Sequence, residues 1–485
     1  MLPVRPPRHT LAPGLDISRI VTGLWQVADQ ERDGRSLDHA AAAASMADYA
    51  AAGFDSFDMA DHYGGAELIA GRFRAAGWRG PLFTKWVPTP GPMTRDIVQE
   101  GVGRSLDRLG CVPDLMQFHW WSFSHPAWLD ALRHMAAMRE AGALRHLGVT
   151  NFDTQHLRVA LAQGLPVLTN QVSFSLLDRR AAGAMSALCL AGGVKLLAYG
   201  TLGGGFLSER WLDRAEPAET DIADWSKMKY RRFIGAMGGW APFQGLLREV
   251  AAIARRHGVS VSNVATRWVL DHPAVAAVIV GARLTEAAHR ADNLRIFSFA
   301  LDQEDHARLA HAFAATQPIP GDCGDEYRRP PYLTASGDLS HHLASLPRAY
   351  AAREIAPGRM AVDSGSIWEG LAGYSRAVRV GNRILVSGTT ATHSDGSLVA
   401  PGDPVAQATY ILDKIAAAIE ALGGSLADVV QTRVWLADAD EWEGVSRVHG
   451  AVFGAIRPAN TLLGIGRLVG PYRVEIEAEA MLLPA

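Results

Sequence analysis

Four side chains in the first quarter of the sequence supply the groups that proton transfer at an oxygen atom requires: Asp58, Tyr63, Lys85 and His119. Tyrosine is a poor acid near neutrality because its unperturbed pKa is about 10. A nearby ammonium group favours the phenolate, so Lys85 would lower the pKa of Tyr63 while Asp58 keeps the lysine charged. The His119 ring could donate a hydrogen bond to a substrate oxygen and orient it. The four residues predict an acid–base site suited to the reduction of a carbonyl group.

The elements that would position these residues are short apolar runs that alternate with longer helical patterns up to about residue 315. Such alternation predicts a parallel sheet covered by helices. Eight strands close a (β/α)8 barrel, in which the chemistry lies where the strands end. The long gap before the last run holds a predicted loop near residues 215–239, which we expect to be a substrate lid. The eight runs are residues 20–23, 56–58, 82–85, 115–119, 147–150, 167–170, 196–199 and 278–281.

The four residues could be catalytic, or they could be ordinary packing or surface residues, and their position at strand ends helps to decide. A single tyrosine, lysine or histidine at a strand end is usually a packing or surface residue. Four complementary groups at or just beyond the ends of three successive runs favour catalysis instead.

Composition and charge restrict the class of protein. The 485 residues carry a net charge of −3 with scattered basic residues, which argues against a general attraction to nucleic acid or anionic lipid. No signal-peptide pattern and no apolar run of about 18 residues is present in the sequence, so we expect neither export nor a membrane span. The three cysteines are far apart and form no paired motif, which fits a reducing compartment. We expect a cytoplasmic protein without a metal site.

The composition and the hydrophobic pattern of the sequence change after about residue 315. Residues 316–362 are rich in Pro, Gly and Asp, and they predict a surface tail followed by a linker. Residues 363–485 show a hairpin pattern around Gly381 and Asn382, a long amphipathic helix, a strand, a second helix and a final strand. This order predicts a smaller α+β domain behind a barrel of residues 1–315.

Motifs along the first two-thirds of the chain resemble those of the aldo-keto reductase family. The resemblance implies a catalytic tetrad of Asp58, Tyr63, Lys85 and His119, with Tyr63 as the general acid in reduction. It also implies NADPH, with NADH possible, bound extended across the barrel mouth. The motifs are FDMADHYGGAE, FTKW, MQFHWW, LGVTNF, TNQVSFSLLDR, AYGTLGGGFL and VIVGARLTEAAHRADNL.

The same resemblance implies roles in binding the cofactor. Tyr199 would stack on the nicotinamide, and Arg283 would meet the 2′-phosphate of NADPH, a dianion that suits a guanidinium. The stretch from Gly281 to Asn293 is about two residues longer than in many relatives, which leaves the adenine-side contacts open. No GxGxxG follows a strand, which argues against a Rossmann site. The carboxamide would be held by Thr150, Asn151 and Gln171, the pyrophosphate by Gly200, Thr201, Leu202 and Gly203, and further cofactor contacts would come from Trp25, Gly281 and Asn293.

A cluster of aromatic residues at or beyond the strand ends could form a wall for a hydrophobic or aromatic substrate. Ordinary packing is the alternative interpretation. The candidates are Trp86, Trp120 and Trp121, with Trp25 and Phe123 near them. In the same way, the run of glycines at 203–205 could be a flexible turn instead of a cofactor loop.

The last 120 residues or so resemble the Rid (reactive-intermediate deaminase) family, through GYSRAVRVGNRILVSGTTAT, IRPANTLLGI and YRVEIEAEA. The resemblance implies a chorismate-mutase-like fold, a homotrimer with clefts between subunits, and imine hydrolysis. Tyr374 and Glu475 match active-site positions, but Asn460 stands where the family has a carboxylate-binding arginine. The loss of a bidentate guanidinium should weaken binding of 2-imino acids. The domain is therefore interpreted as an assembly module or one with other chemistry, and Glu475 could simply lie on a solvated strand face.

Three hypotheses follow for the whole chain. The leading one is a carbonyl reductase, or its alcohol-oxidising reverse, which acts on a small molecule and is carried on a trimer. The second couples carbonyl redox to imine or enamine hydrolysis in the same chain. The third is a non-enzymatic redox sensor that binds the cofactor, against which the intact tetrad argues.

Overall fold

The computed structural model describes residues 5–284, 289–335 and 345–482. The chain begins with an antiparallel hairpin of β1 (Arg8–Ala12) and β2 (Leu15–Ser18). Apolar side chains of this hairpin, such as Ile17, form a cluster with Phe83 and Leu115 of the barrel strands. The hairpin thus covers apolar side chains of the barrel interior.

Eight parallel strands close into a barrel in the order β10-β3-β4-β5-β6-β7-β8-β9, which confirms the predicted fold. Each predicted run is a strand, although the seventh and eighth begin earlier than predicted. The strands are β3 (Ile20–Gly23), β4 (Phe57–Asp58), β5 (Leu82–Trp86), β6 (Leu115–His119), β7 (Leu147–Thr150), β8 (Val167–Ser173), β9 (Lys195–Tyr199) and β10 (Val275–Gly281).

Helices surround the barrel and follow its strands. The longest of them places Phe243, Leu247, Val250 and Ala254 on one buried face, at the spacing of three to four residues that an amphipathic helix requires. The helices are α1 (Trp25–Gln30), α2 (His39–Ala51), α3 (Ala66–Ala75), α4 (Arg95–Leu109), α5 (Trp128–Glu140), α6 (Thr154–Ala162), α7 (Ala184–Gly192), α8 (Trp225–Ala236), α9 (Trp240–His257), α10 (Val261–Leu270), α11 (Arg290–Leu294), α12 (Gln303–Ala314) and α13 (Asp325–Arg328).

Helix α8 occupies the segment that the sequence predicted to be a lid loop. Asp224 caps it by accepting a hydrogen bond from the backbone N–H of Lys227. Tyr230, Phe233 and Ile234 are buried on one side of the helix. The expectation of a loop at residues 215–239 is therefore corrected for residues 225–236, because this apolar stripe packs a helix onto the glycine-rich turn that follows β9.

The second domain is a seven-stranded sheet in the order β11-β12-β13-β14-β17-β15-β16, in which only β15 and β16 are parallel. Helix α15 packs on β14 and β17 and also on α6 of the barrel. The elements are β11 (Ala352–Ala356), β12 (Arg359–Val362), α14 (Ile367–Ala372), β13 (Ala377–Val380), β14 (Arg383–Thr390), α15 (Pro404–Ala421), β15 (Val429–Leu436), α16 (Trp442–Phe453), β16 (Ala459–Gly464) and β17 (Val474–Met481).

The sheet begins earlier than the predicted domain boundary at residue 363. Residues 352–362 were expected to be linker, but they form β11 and β12 and pair with β13. Every residue of β11 is exposed. An exposed edge strand needs no apolar face, so its sequence lacks the alternation of apolar and polar residues that would predict a strand. Among the described residues, no helix is both long enough and apolar enough to cross a membrane.

Candidate active site

A buried ion pair lies at the centre of the barrel mouth. The Lys85 ammonium donates to Asp58 Oδ2 over 2.5 Å and to the Met59 carbonyl over 2.8 Å. Both charged side chains are almost completely buried, at 2% exposure for Lys85 and 3% for Asp58. Burial lowers the pKa of Lys85, and the charge of Asp58 opposes that shift. An ion pair without water is costly unless hydrogen bonds satisfy its remaining atoms.

Two glutamine side chains satisfy the second oxygen of Asp58. Gln117 and Gln171 each donate from Nε2 to Asp58 Oδ1, over 2.9 and 2.8 Å. Gln171 also donates to Gln117 Oε1 over 3.0 Å. Sequence reasoning missed Gln117, although it lies two residues before His119 on β6 and therefore points to the same side of the strand. Gln171, expected to hold a cofactor amide, thus also fixes the buried carboxylate.

Tyr63 lies beside this ion pair. Its ring centroid is 4.8 Å from Lys85 Nζ and 4.9 Å from the ring of Trp25, which meets it edge-on. The His62 ring is 4.8 Å away. The structure thus brings Asp58, Tyr63 and Lys85 together at one end of the barrel.

His119 completes the group from the end of β6. Burial lowers the pKa of its imidazole well below the ordinary value, and the positive charge of Arg328 adds to the shift. The ring is therefore neutral near pH 7, with one nitrogen free to donate and the other to accept. Asn151 Nδ2 lies 3.5 Å from His119 Nε2, and the Trp121 ring lies 4.5 Å from the imidazole.

The strand ends next to His119 carry the residues expected to bind the cofactor. Thr150 pairs with Gln171 across β7 and β8, and Tyr199 ends β9. The Tyr199 hydroxyl donates to Asn151 Oδ1 over 2.8 Å. Burial raises the pKa of Tyr199 well above the ordinary value, so the phenol is neutral. The structure therefore places these four side chains around one edge of the mouth.

Several atoms here fit a nicotinamide cofactor. Within the described part of the chain, the buried hydroxyls of Thr150 and Thr201 have no hydrogen-bond partner. Other buried side-chain atoms of the described chain also lack a partner, but Thr150 ends β7 and Thr201 follows β9, so a ligand at these strand ends could satisfy both hydroxyls. A Cβ on Gly200 would lie 1.9 Å from the Tyr230 hydroxyl, so only glycine fits between β9 and α8. Residues Gly203–Gly205, which follow Leu202, form a short 3-10 turn. This turn packs against α8.

The residues expected on the adenine side lie at the rim of the barrel. Arg283 Nη2 is 3.5 Å from Asp224 and 3.8 Å from Asp29, and its side chain is 41% exposed. Gly281 ends β10, and Asn293 lies in α11. The stretch from Gly281 to Asn293 was expected to be about two residues longer than in many relatives. Residues 285–288 of this stretch lie outside the described residues.

The structure separates the predicted aromatic wall into two groups. Trp86 and Trp120 are 2% and 0% exposed and both pack against Phe118 in the core between strands and helices. Successive side chains of a strand point to opposite faces, so the residues after Lys85 and His119 must point away from the barrel interior. Trp121 touches His119 instead. Trp86 and Trp120 are thus not brought to the mouth, whereas Trp121 is.

Sequence reasoning missed a set of residues that cover the mouth. Lys229 of α8 donates to the Tyr327 hydroxyl over 2.8 Å and lies 3.4 Å from the Tyr199 hydroxyl. The Tyr327 ring is 5.7 Å from the imidazole of His119. Glu326 is buried and forms an ion pair with Arg180 over 2.8 Å. These tail residues fall in the segment that its Pro, Gly and Asp content marked only as a surface tail.

In the second domain, Tyr374 and Glu475 surround a buried arginine. Arg376 is 2% exposed and donates to the Tyr374 hydroxyl over 3.0 Å and to Glu369 over 3.1 Å. Burial raises the pKa of Glu475, and the charge of Arg376 opposes the shift. Asn460 lies on β16, which is separated from β17 by β15. Its amide donates to the Thr432 hydroxyl of β15 over 2.9 Å. The single chain therefore does not bring Asn460 to the other two residues.

Comparison with known proteins agrees with this geometry. Residues 19–313 match the aldo/keto reductase family, and residues 367–482 match the family described as endoribonuclease L-PSP. The chain is 31% identical over 212 residues to protein tas of Escherichia coli, which covers 39% of the chain and 59% of that relative. The chain thus spans less than two-thirds of this relative.

Two further similarities concern the fold and the second domain. A RutC family protein of Pyrococcus abyssi is 33% identical over 107 residues, which is 22% of this chain and 84% of that protein. A glycerol dehydrogenase from Gluconobacter oxydans has the same barrel fold, with a TM-score of 0.54 at 23% identity, over 65% of this chain and 97% of that one. The chain therefore belongs to the aldo/keto reductase family of oxidoreductases and carries a Rid/L-PSP family domain behind its barrel.

Proposed function

We propose that this chain interconverts a carbonyl and an alcohol by hydride transfer with NADPH as the cofactor. The observation that carries the proposal is the meeting of a buried Asp58–Lys85 pair, the Tyr63 ring and a neutral His119 at one end of the barrel. A bound nicotinamide supplies the hydride, which goes to the carbonyl carbon in reduction. The side chains of the protein handle the proton and orient the substrate.

The neutral imidazole of His119 would donate a hydrogen bond to the carbonyl oxygen and fix its position. Tyr63 would then give its hydroxyl proton to that oxygen as negative charge develops. The ammonium of Lys85 stabilises the phenolate that remains, and Asp58 keeps the ammonium charged despite its burial. In alcohol oxidation the same groups would act in reverse, with the phenolate as the base.

The cofactor-binding residues are proposed from their positions. Thr150, Asn151 and the Oε1 atom of Gln171 would hold the carboxamide, and the Tyr199 ring would lie against the nicotinamide. The turn of Gly200, Thr201, Leu202 and Gly203 would meet the pyrophosphate, and Gly281 and Asn293 the adenine side. Trp25 would add a further cofactor contact next to Tyr63. Arg283 would exchange its contacts with Asp29 and Asp224 for the 2′-phosphate, which favours NADPH over NADH.

The substrate side of the mouth is aromatic. Trp25 and Trp121 flank Tyr63 and His119, and Tyr327 closes the set from the tail. Aromatic walls favour small molecules with an apolar or aromatic group next to the carbonyl. We therefore propose a hydrophobic or aromatic aldehyde or ketone as the substrate class.

The proposal is tested by following NADPH absorbance over a panel of aldehydes and ketones, and NADP⁺ reduction over the matching alcohols. Replacement of Tyr63 by Phe should abolish turnover and leave cofactor binding nearly intact, because only the proton donor is lost. Tyr332→Phe, at an exposed tyrosine of the tail, is the matched control and should behave like the native protein. A Tyr63→Phe variant with native kcat would show that the assigned acid is wrong.

We propose that the second domain assembles the chain into a homotrimer. Asn460 is separated from Tyr374 and Glu475 within one chain, so a cleft with all three needs a second copy. Apolar residues such as Leu463 and Val430 are exposed on this sheet, at 50% and 43%. Light scattering of the full chain should give a trimer that Leu463→Asp dissociates. A monomer at micromolar concentration would contradict this assembly.

A second catalytic activity, the hydrolysis of an imine or enamine, is the alternative role for this domain. The grouping of Tyr374, Arg376 and Glu475 favours it, whereas Asn460 disfavours substrates that carry a carboxylate. Release of ammonia from neutral imines should be measured on the native chain and on Glu475→Gln. Equal rates would exclude a catalytic role for this carboxylate.

A further inference from the structure

A segment that lies outside the matched barrel sequence returns to the barrel mouth. The family match ends at residue 313, and the described chain continues to residue 335. Glu326 anchors this segment, because its carboxylate is 2% exposed and pairs with Arg180, which also pairs with Asp178. The segment is therefore held by buried charges and is not a loose linker.

Arg328 in this segment connects the ends of two barrel strands. Its Nη1 donates to the carbonyl of Asn151 and its Nη2 to the carbonyl of Trp120, each over 2.7 Å. The Trp120 carbonyl directly follows His119 at the end of β6, and Asn151 directly follows β7. One planar guanidinium thus fixes the peptide groups that follow two of the proposed site residues.

The backbone of Asn151 is of the kind that needs such support. Its φ is +55°, in the left-handed region that residues other than glycine adopt infrequently. The segment approaches it so closely that a Cβ on Gly324 would lie 2.1 Å from the Asn151 carbonyl oxygen. The conformation that turns the Asn151 side chain towards His119 and Tyr199 is therefore held from outside the barrel.

The surroundings of the guanidinium fix its own position. Arg328 lies 4.3 Å above the ring centroid of Phe123. Burial lowers the pKa of Arg328, and the negative charges of Asp153, Asp325 and Glu326 oppose that shift. The two backbone hydrogen bonds and the Phe123 ring hold the guanidinium, while its buried Nε has no hydrogen-bond partner among the described residues.

We propose that Arg328 is a positioning residue for hydride transfer, which sets the distance between His119 on the substrate side and Asn151 on the cofactor side. This inference rests on the proposed reductase function. The barrel alone leaves the two strand ends without this link, so the tail would complete the site. A displacement of about 1 Å in such a site can reduce turnover by roughly a hundredfold.

The test compares Arg328→Lys and Arg328→Gln with Arg329→Lys and Arg329→Gln in the full chain. Arg329 is the neighbouring arginine; it pairs with Asp325 and donates to the Ala451 carbonyl of the second domain, and no bond among the described residues joins it to the two strand ends. Lysine keeps the charge of Arg328 but cannot span both carbonyls. We expect kcat to fall about tenfold in Arg328→Lys and about a hundredfold in Arg328→Gln, with KM for the carbonyl changed less than about threefold.

A primary isotope effect with cofactor deuterated at the transferred position separates positioning from simple loss of stability. It should become larger in Arg328→Lys, because hydride transfer becomes slower relative to the other steps. An unchanged isotope effect and kcat per folded molecule would overturn the proposal. Native values are expected for both Arg329 variants.

Hydrogen exchange gives a readout that does not depend on turnover. Peptides containing residues 119–123 and 150–153 should exchange faster in Arg328→Lys than in Arg329→Lys, because two carbonyls lose their shared donor. Equal exchange in both variants would overturn the positioning role even where no substrate has been found. If the native chain shows no turnover but the exchange difference is observed, the reductase function would be rejected. The conclusion that Arg328 links the ends of β6 and β7 would stand.

Discussion

The barrel mouth and the cleft of the second domain hold their charged groups in different ways. In the barrel, one chain supplies every partner of Asp58, namely Lys85, Gln117 and Gln171. In the second domain, Asn460 is two strands away from Glu475, and the sheet between them is partly exposed. A closed barrel has no free edge and directs all its strand ends to one place, whereas an open sheet leaves edges and a face to be covered.

The two regions are covered by different parts of the molecule. The barrel mouth is covered by the tail of the barrel, which contributes Glu326, Tyr327 and Arg328. The second domain uses its helical side to dock on the barrel, through α15 against α6. Its sheet face is therefore where the second copy of the proposed trimer would bind.

The docking contact is itself a buried charge cluster. His156 of the barrel lies between Asp153, at 2.7 Å, and Asp413 of α15, at 3.0 Å. Its ring stacks on Phe123 with 3.5 Å between centroids. The two carboxylates raise the pKa of His156 to about 9, against the effect of its burial. The barrel and the second domain are thus joined by an imidazolium that is charged at neutral pH.

The largest effect is expected from breaking the barrel ion pair. Lys85→Met leaves the buried Asp58 charge without its cation, so we expect the free energy of unfolding to fall by about 3–5 kcal/mol and turnover to be lost. Chemical denaturation and the NADPH assay measure the two effects. In Lys85→Met with Asp58→Asn, stability should largely return while turnover stays absent. A double variant as unstable as the single one would contradict the pairing argument.

The docking cluster should give a smaller, pH-dependent effect. The pKa of His156 is raised from 6.5 to about 9 in the folded chain, so its contribution is fully present below about pH 6.5 and is lost as pH rises through 9. The shift corresponds to at most about 3 kcal/mol of unfolding free energy. Arg328 and Arg329 also lie near these carboxylates, and their positive charges lower the pKa of Asp153 and of Asp413, respectively.

Denaturation of the full chain from pH 6 to pH 10 checks this loss, and Asp413→Asn is the variant that sharpens it. We expect the variant to be about 1–2 kcal/mol less stable at pH 7 and to depend less on pH above 7, because one partner of His156 is gone. The same pH dependence in both proteins would show that His156 does not carry a charge at the interface.

The choice of cofactor tests the rim of the barrel. Arg283→Ala should raise the Kd for NADPH by about 10–100-fold and that for NADH by less than about twofold, because only NADPH carries the 2′-phosphate. Asp224→Asn removes a competing carboxylate 3.5 Å from the guanidinium and should tighten NADPH binding by a few-fold. Fluorescence titration measures both constants. Equal losses for the two cofactors would refute the role of Arg283.

The smallest effect on the barrel is expected from the second cleft. Glu475→Gln should leave kcat for the carbonyl unchanged within about twofold. Glu475 lies on β17 of the second domain, and no described contact joins it to a barrel residue. The NADPH assay on the full chain measures it. A large loss would show that the two sites are coupled and that their separation is wrong.

Much of the barrel could be predicted from local pattern. Short apolar runs with helical stretches between them predicted the eight strands that close it. The alternation of side chains along a strand explains a partial failure at the aromatic wall. Since Lys85 and His119 point inward, Trp86 and Trp120 must point outward, and the cluster in sequence is not a cluster in space. The docking of His156 on Asp413 had no local signal, because the two residues lie 257 positions apart.

Local pattern was enough to predict that Asp58, Tyr63, Lys85 and His119 lie at or just beyond strand ends, since each is in or directly after a strand formed by nearby residues. The surroundings of this group depend on the folded chain. Gln117 and Gln171 reach Asp58 across the barrel interior, and Arg328 reaches two strand ends from a tail without periodicity. The physical reason is that the direction of a strand and its side chains is local, whereas the partners of buried charges are brought together only when the chain closes on itself.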